Sequence, residues 1–233
     1  MMIEIITNVL PNLIITEDQQ NQLKIYYEYL IAQNKVMNLT AITDEQEVYY
    51  KHFLDSLLLL KHYQISENSN ICDVGSGAGF PGIVLKIINP HFKLTIIEAL
   101  AKRCKFLTNL VTKLNLTNVT IIHARAEEYS YDHPETFDII LSRAVANLGM
   151  LLELTVRLAK VDGLLICYKG ANIKAELAAS QKTIAVLGLE LIDLQYENID
   201  HLGERNICYF KKRQPTNSKY PRHFSQIKKS PIG

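Results

Sequence analysis

This 233-residue sequence predicts an α/β fold, a mostly parallel sheet with helices on both faces behind an N-terminal helical cap. Three observations carry that prediction. From Asn70 onward, short apolar runs alternate with stretches at helical spacing, the pattern of strands joined by crossover helices. The first apolar run, Ile71–Val74, enters a glycine-rich turn ending at Gly82, and a second apolar run, Ile83–Ile88, follows directly. Residues 1–66 show no strand pattern.

Taken in order, Thr16–Ala32 reads as an amphipathic helix. Thr16 and Gln19 have capping-box spacing, and Leu23, Tyr26 or Tyr27, Leu30 and Ile31 recur on one face. Asn34–Thr40 breaks the period and reads as a loop. Thr43 with Gln46 caps a second helix through Tyr49, Phe53 and Leu57–Leu60. Within it, His52 and Asp55 either share a solvated face or line a cleft beside the glycine turn. The strands expected next are Ile71–Val74, Lys93–Glu98, Val119–His123, Phe137–Leu141 and Gly163–Tyr168. The helices between and after them are Lys102–Leu114, Leu148–Ala159 and Ile173–Leu187. Glu190–Tyr196 and Asn206–Lys211 read as a closing hairpin. The organisation expected is a cap (1–66), a sheet domain (67–212) and a basic tail (213–233) packed on or extending from that domain.

Composition narrows the classes. The hydrophobic share of 48% supports a sizeable core. Cys72, Cys104, Cys167 and Cys208 lie far apart, with no C-x-x-C pair, so they read as small core residues of a reducing compartment and not as a metal site. Met1–Leu10 is partly apolar but carries Glu4 and no basic residue, so it does not read as a secretion signal. No apolar run approaches the roughly 18 residues of a membrane span. A cytoplasmic protein without a membrane partner is the expectation. The net charge of +1 hides a segregation: Lys211–Gly233 holds seven of the 25 basic residues and no acid, leaving −6 on the remainder. Basic residues interleaved with Tyr220, His223 and Phe224 fit phosphate contacts with base stacking, or else a frayed terminus; Pro215, Pro221 and Pro231 argue against a regular helix there.

The chemistry is read at the strand ends, where parallel sheets bind ligands. The turn runs D-V-G-S-G-A-G-F-P-G from Asp73 to Gly82. A dinucleotide fingerprint fits Gly75 and Gly77 but meets Phe80 at its third glycine. An acid two residues before the first glycine looks instead like the first motif of class I S-adenosylmethionine (SAM) methyltransferases. Glu98, about 20 residues past the turn, is placed to accept hydrogen bonds from ribose hydroxyls of either cofactor. Ala126 and Glu127 follow the third strand, facing an adenine edge or simply solvent. Arg143 follows the fourth, binding a carboxylate or phosphate or pairing with Asp55 or Glu98. The slot after that strand holds Ser142-Arg143-Ala144, where enzymes acting on nucleic-acid amino groups often carry N/D-P-P-Y. It also lacks the nucleophilic cysteine that cytosine-C5 enzymes need. An acceptor atom with a lone pair and no proton, such as guanine N7, needs neither device, only alignment with the methyl group.

The motifs together resemble one family. N-x-x-x-N-L-T-A-I (Asn34–Ile42), H-F-L-D-S-L (His52–Leu57), the glycine motif with F-P-G, K-R-x-x-F-L (Lys102–Leu107), R-A-E (Arg125–Glu127), S-R-A, K-G (Lys169-Gly170) and Y-P-R…K-x-P (Tyr220–Pro231) occur in that order. Over nearly the whole chain this resembles the family of ribosomal RNA small subunit methyltransferase G, also called glucose-inhibited division protein B. The resemblance implies a class I SAM-dependent methyltransferase fold: Rossmann-like, seven-stranded and mostly parallel. It also implies methylation at N7 of one guanine (guanine 527, in the 530 loop) of 16S rRNA, with the small ribosomal subunit as partner; a monomer is the expectation for the protein itself. By matching position, Gly75, Gly77, Phe80, Glu98, Ala126, Glu127 and Arg143 would hold SAM. Lys169, Arg205, Lys219, Arg222 and Lys228 would meet RNA. No residue is assigned to proton transfer, and Arg143 is the candidate for an orienting role. The chain departs from many members in lacking a tryptophan near Ala32-Gln33 and in carrying Ala78 where some have proline. The rival readings are a small-molecule SAM methyltransferase, a SAM-binding ribosome-assembly factor without turnover and, more distantly, an NAD dehydrogenase.

Overall fold

The computed structural model describes residues 2–143 and 145–232. Met1, Gly233 and Ala144, the last residue of S-R-A, lie outside them. The shift in periodicity at residue 70 is a shift in architecture. Before it come α1 (Met2–Val9), α2 (Glu17–Met37), α3 (Glu45–Val48), a π-helical turn over Tyr49–Leu54, α4 (Asp55–Leu57) and a 3₁₀ turn over Leu58–Lys61. The Thr16–Gln19 capping box forms at the start of α2. Gln19 also donates through Nε2 to the Ile87 and Ile88 carbonyls, both at 3.0 Å, so one side chain serves two helix ends.

Two cap expectations are corrected. Helix α2 continues past Ala32 to Met37 and ends where Asn38 turns left-handed at φ 51°. Asn34 lies inside it, and its Oδ1 accepts from Leu39 N (2.6 Å) and Thr40 N (2.8 Å), satisfying the backbone beyond the helix end. The next helix is capped by Asp44, which accepts from Glu47 N, and not by Thr43. The two candidate caps are adjacent with equal spacing to an acceptable partner, so the pattern does not separate them.

The sheet contains β1 (Asn70–Val74), β2 (Lys93–Glu98), β3 (Val119–His123), β4 (Phe137–Arg143), β5 (Ala159–Lys169), β6 (Leu189–Ile199) and β7 (Gly203–Lys212), in the order β3-β2-β1-β4-β5-β7-β6. The first five strands are parallel; β7 runs antiparallel to β5 and to β6, as the expected hairpin requires. Strand order reverses beside β1, between β1 and β4, which opens a crevice at the carboxyl ends of these strands. Helices α5 (Gly82–Ile88) and α6 (Ala101–Lys113) pack with the cap into one core on one face, where Leu23, Leu30, Phe53, Leu85 and Leu107 are all fully buried. Helices α7 (Ala126–Asp132), α8 (Leu148–Thr155), α9 (Ile173–Ala179) and α10 (Gln181–Val186) cover the other face, and α11 (Phe224–Lys229) rests on α8.

Four further readings change. Leu148–Ala159 is α8 followed by a 3₁₀ turn over Val156–Leu158, and Ala159 already pairs with Phe137 as the first residue of β5. Ile173–Leu187 is interrupted at Ser180. Ala126–Asp132, a stretch assigned no element from the sequence, is helical. The tail forms α11 between Pro221 and Pro231, with fully buried Ile227 anchoring it.

Among the described residues, no helix is long and apolar enough to cross a membrane. The four cysteines are buried and unpaired.

Candidate functional site

The glycine turn hangs from the end of β1 with tight packing below it and open space above. A Cβ on Gly75, whose φ is +70°, would lie 2.6 Å from Val145 Cγ2, and one on Gly79 would lie 2.5 Å from the Tyr26 hydroxyl. Gly77 has nothing within 4 Å on that side. From the cap, Tyr26 donates to the Ala78 carbonyl at 2.6 Å. Beneath the turn, Asp73 Oδ2 accepts from Gly82 N at 2.7 Å, while Asp73 Oδ1 and Ser76 Oγ are buried without a partner. Burial pushes the Asp73 carboxyl up to about 6, outweighing the Gly82 hydrogen bond.

Beside this turn lies a cavity of about 300 Å³, lined among others by Gly75, Glu98, Leu100, Ala126, Glu127 and Phe224. Glu98 is 3% exposed and bridges the turn to its own strand end, accepting from Gly77 N (3.1 Å) and Leu100 N (3.0 Å). Glu127 opens α7; its Oε1 is buried without a partner, and desolvation raises its pKa. The cavity thus offers carboxylate acceptors over a floor of close-lying backbone, with apolar Leu100 and Ala126 to one side. That combination suits a nucleoside, whose ribose hydroxyls and base amino group donate and whose base face is apolar.

A second cavity, of about 530 Å³, shares Val145 with the first and is lined by Lys51, Lys169, Arg143, Arg205, Asp55, Glu176 and others. Asp55, 5% exposed, accepts from Arg143 at 2.6 Å and from Arg205 at 2.9 Å, tying the cap to β4 and β7. Lys169 bonds Glu176 (2.8 Å) and the Ala146 carbonyl (2.7 Å). His52 stacks on Phe80 with centroids 4.5 Å apart. Its Nδ1–H donates to the Lys51 carbonyl, so Nε2 accepts from the Thr40 hydroxyl, which itself accepts from Ile42 N. Desolvation, then the Arg143 charge, holds the imidazole down to about 3. His52 and Asp55 therefore line the cleft and do not form a solvated face.

Gly75, Glu98, Ala126 and Glu127 come together in the smaller cavity, with Gly77 joined to it through Glu98. Arg143, Lys169 and Arg205 meet in the larger one. Phe80 lines neither: it is 5% exposed, stacked on Tyr26, and lies under the Arg143 guanidinium at 5.0 Å. Lys219 and Lys228 are exposed. Arg222 is half-buried against Glu153, with Nε–Oε1 and Nη2–Oε2 both at 2.7 Å. Reading the sequence had not placed Tyr26, Val145 or Phe224 at the site. In sequence Tyr26 is one of two tyrosines on a helix face and Phe224 an aromatic among basic residues suited to RNA; no local pattern announces contacts made across the fold.

Comparison with known proteins adds the family. A family model described as rRNA small subunit methyltransferase G matches residues 19–208. A curated protein from Mycoplasma capricolum, named ribosomal RNA small subunit methyltransferase G, is 45% identical over 218 residues, 94% of each chain. One of the same name from Ligilactobacillus salivarius is 46% identical, covering 94% of this chain and 93% of its own. Among solved structures, a SAM dependent methyltransferase from Aquifex aeolicus aligns with a TM-score of 0.54 at 16% identity, over 74% of this chain and 96% of that one. A putative methyltransferase from Bacillus halodurans gives 0.56 at 14%, over 69% and 99%. These two likenesses concern the fold.

Proposed function

The chain belongs to the rRNA small subunit methyltransferase G family, and from that premise we propose that it transfers a methyl group from SAM to N7 of guanine 527 in 16S rRNA. The observation that carries this reading is the pair of cavities meeting at Val145, one suited to a nucleoside, the other rimmed by four cations (Lys51, Arg143, Lys169, Arg205) against two carboxylates (Asp55, Glu176). The net positive larger cavity suits a phosphodiester substrate.

The residues fit SAM. Glu98 would take the ribose hydroxyls, and Glu127, whose Oε1 is buried without a partner, would take the adenine with Ala126. Gly75, Gly77 and Phe80 would shape the turn beneath it, and Arg143 would orient at the junction. When bound, SAM supplies an electrophilic methyl on a sulfonium. The protein's work is then to align the guanine lone pair and exclude water, since N7 carries no proton to remove. His52, held down to about 3 and bonded at both ring nitrogens, is given no part in proton transfer. Lys169, Arg205, Lys219, Arg222 and Lys228 are the RNA contacts we propose. Lys219 and Lys228 are free to meet phosphate directly; the other three would act from within ion pairs.

The cap (1–66), sheet domain (67–212) and tail (213–233) are read as one cytoplasmic monomer, with the cap as a covering layer, since it shares a core with the sheet. The test is methyl transfer from radiolabelled SAM to small subunits of a strain lacking this gene, followed by nucleoside identification. Label in 7-methylguanosine at position 527 of 16S rRNA is expected. Binding of SAM with no label in RNA would refute the reading.

A further inference from the structure

The smaller cavity has one wall that comes from an unexpected place. Phe224, the first residue of α11 in the basic tail, lines it beside Leu100, Ala126 and Leu154. Its ring is only partly buried, because it borders open space. The Arg125 guanidinium, which lines the same cavity, sits over the ring at 4.9 Å, so ring and guanidinium together form this wall.

The segment carrying Phe224 is fastened at several points. Arg222 makes a bidentate pair to Glu153, which is 1% exposed on α8, and the Arg222 backbone N–H reaches the same carboxylate at 3.2 Å. Arg222 Nη1 donates to the Ser230 carbonyl at 2.9 Å, closing the far end of α11 onto its start. Tyr131 and Arg157 hold the carbonyls of Pro221 (2.8 Å) and Tyr220 (3.3 Å). A buried carboxylate answered by one arginine fixes that arginine firmly, since either group alone would be left uncompensated. Leu154, the residue after Glu153, is itself a wall of the cavity. The fastening point and the pocket therefore belong to the same turn of α8.

Resting on the SAM reading above, we propose that Phe224 is a further cofactor-binding residue, the surface on which the adenine base stacks, and that the Arg222–Glu153 pair positions it. The tail then has two duties within a dozen residues: Lys219 and Lys228 face solvent for phosphate while Phe224 closes the nucleoside pocket. Cofactor and RNA would be linked through this segment, each binding more tightly when the other holds it in place, by the same factor in both directions.

The chain contains no tryptophan, so Phe224→Trp introduces a single indole at the pocket wall. The probe is S-adenosylhomocysteine, with its affinity measured independently by calorimetry on the same protein. The expected result is a saturable change in indole emission whose midpoint equals the calorimetric Kd. Phe224→Ala should weaken binding about tenfold or more, the scale of losing one base–aromatic stack, with the melting temperature little changed. Adding Arg222→Met to Phe224→Trp should shift the indole emission to the red and weaken its response, and Arg222→Lys should restore part of it. Calorimetric binding with a silent indole, or unchanged affinity in Phe224→Ala, would overturn the proposal while leaving the SAM reading intact. No binding heat in the native protein would overturn both.

Discussion

Asp55→Asn is the substitution that most directly questions the description of the larger cavity. The carboxylate is 5% exposed, and each oxygen takes one guanidinium, Arg143 at 2.6 Å and Arg205 at 2.9 Å. The amide keeps the shape but presents an NH₂ to one of the two arginines, so a donor faces a donor. It also removes the charge that compensates both. The Arg143 side chain is 13% exposed and that of Arg205 is 28%, so water replaces the lost partner only at Arg205. Breaking a buried pair in this way costs about 3 kcal/mol. For a chain of this size that is a fall in melting temperature of roughly 6–12 °C. Circular dichroism melts of Asp55→Asn, Arg205→Gln and the double variant measure it. The double variant should lose less than the sum of the singles, because once Asp55 has become an amide Arg205 no longer has an anion to lose. A fall below about 2 °C, or strict additivity, would refute the claim that Asp55 holds the cap to β4 and β7.

Gly75→Asp should abolish S-adenosylhomocysteine binding in calorimetry, since its Cβ would fall 2.6 Å from Val145 in a backbone conformation that L residues resist. For Asp73, burial favours the neutral acid in the folded state, so its stabilising contribution is complete below the usual 3.8 and is lost as pH rises through about 6. That gap corresponds to about 3 kcal/mol, and the melting temperature of Asp73→Asn relative to the native protein should therefore climb between pH 4 and pH 7; a flat difference would contradict the reading. Replacing Lys219 and Lys228 together by alanine should weaken RNA binding and reduce the slope of log affinity against log salt by about 2. S-adenosylhomocysteine affinity should be untouched, because neither lysine lines the nucleoside cavity.

Much of the fold was legible because the strands are apolar runs with sharp polar ends. Lys93–Glu98 and Val119–His123 were read with the bounds they have. Two short helices were not, since Ala126–Asp132 and Phe224–Lys229 are too short to show a period and no apolar run marks them. At the site, Glu98 and the glycines were legible because their spacing is local. The pairing of cations was not. Lys169, Arg205 and Arg222 look alike in sequence to Lys219 and Lys228. Only the fold brings Glu176, Asp55 and Glu153 against the first three, and Asp55 and Glu153 lie 150 and 69 residues from their partners.

The hydroxyl of Tyr26 reaches the Ala78 carbonyl and fills the space where a side chain on Gly79 would stand. Cap and ligand turn are therefore one shape divided between two distant stretches of chain. An alanine at position 79 would meet that hydroxyl and would also have to hold a φ of +106°, which L residues resist. A lineage that replaced the phenol at 26 would need another donor for the carbonyl at 78. Position 79 should stay glycine among descendants of this sequence whatever stands at 26, and a sheet cut free at residue 67 would carry its most important loop without the half of the mould that gives it form.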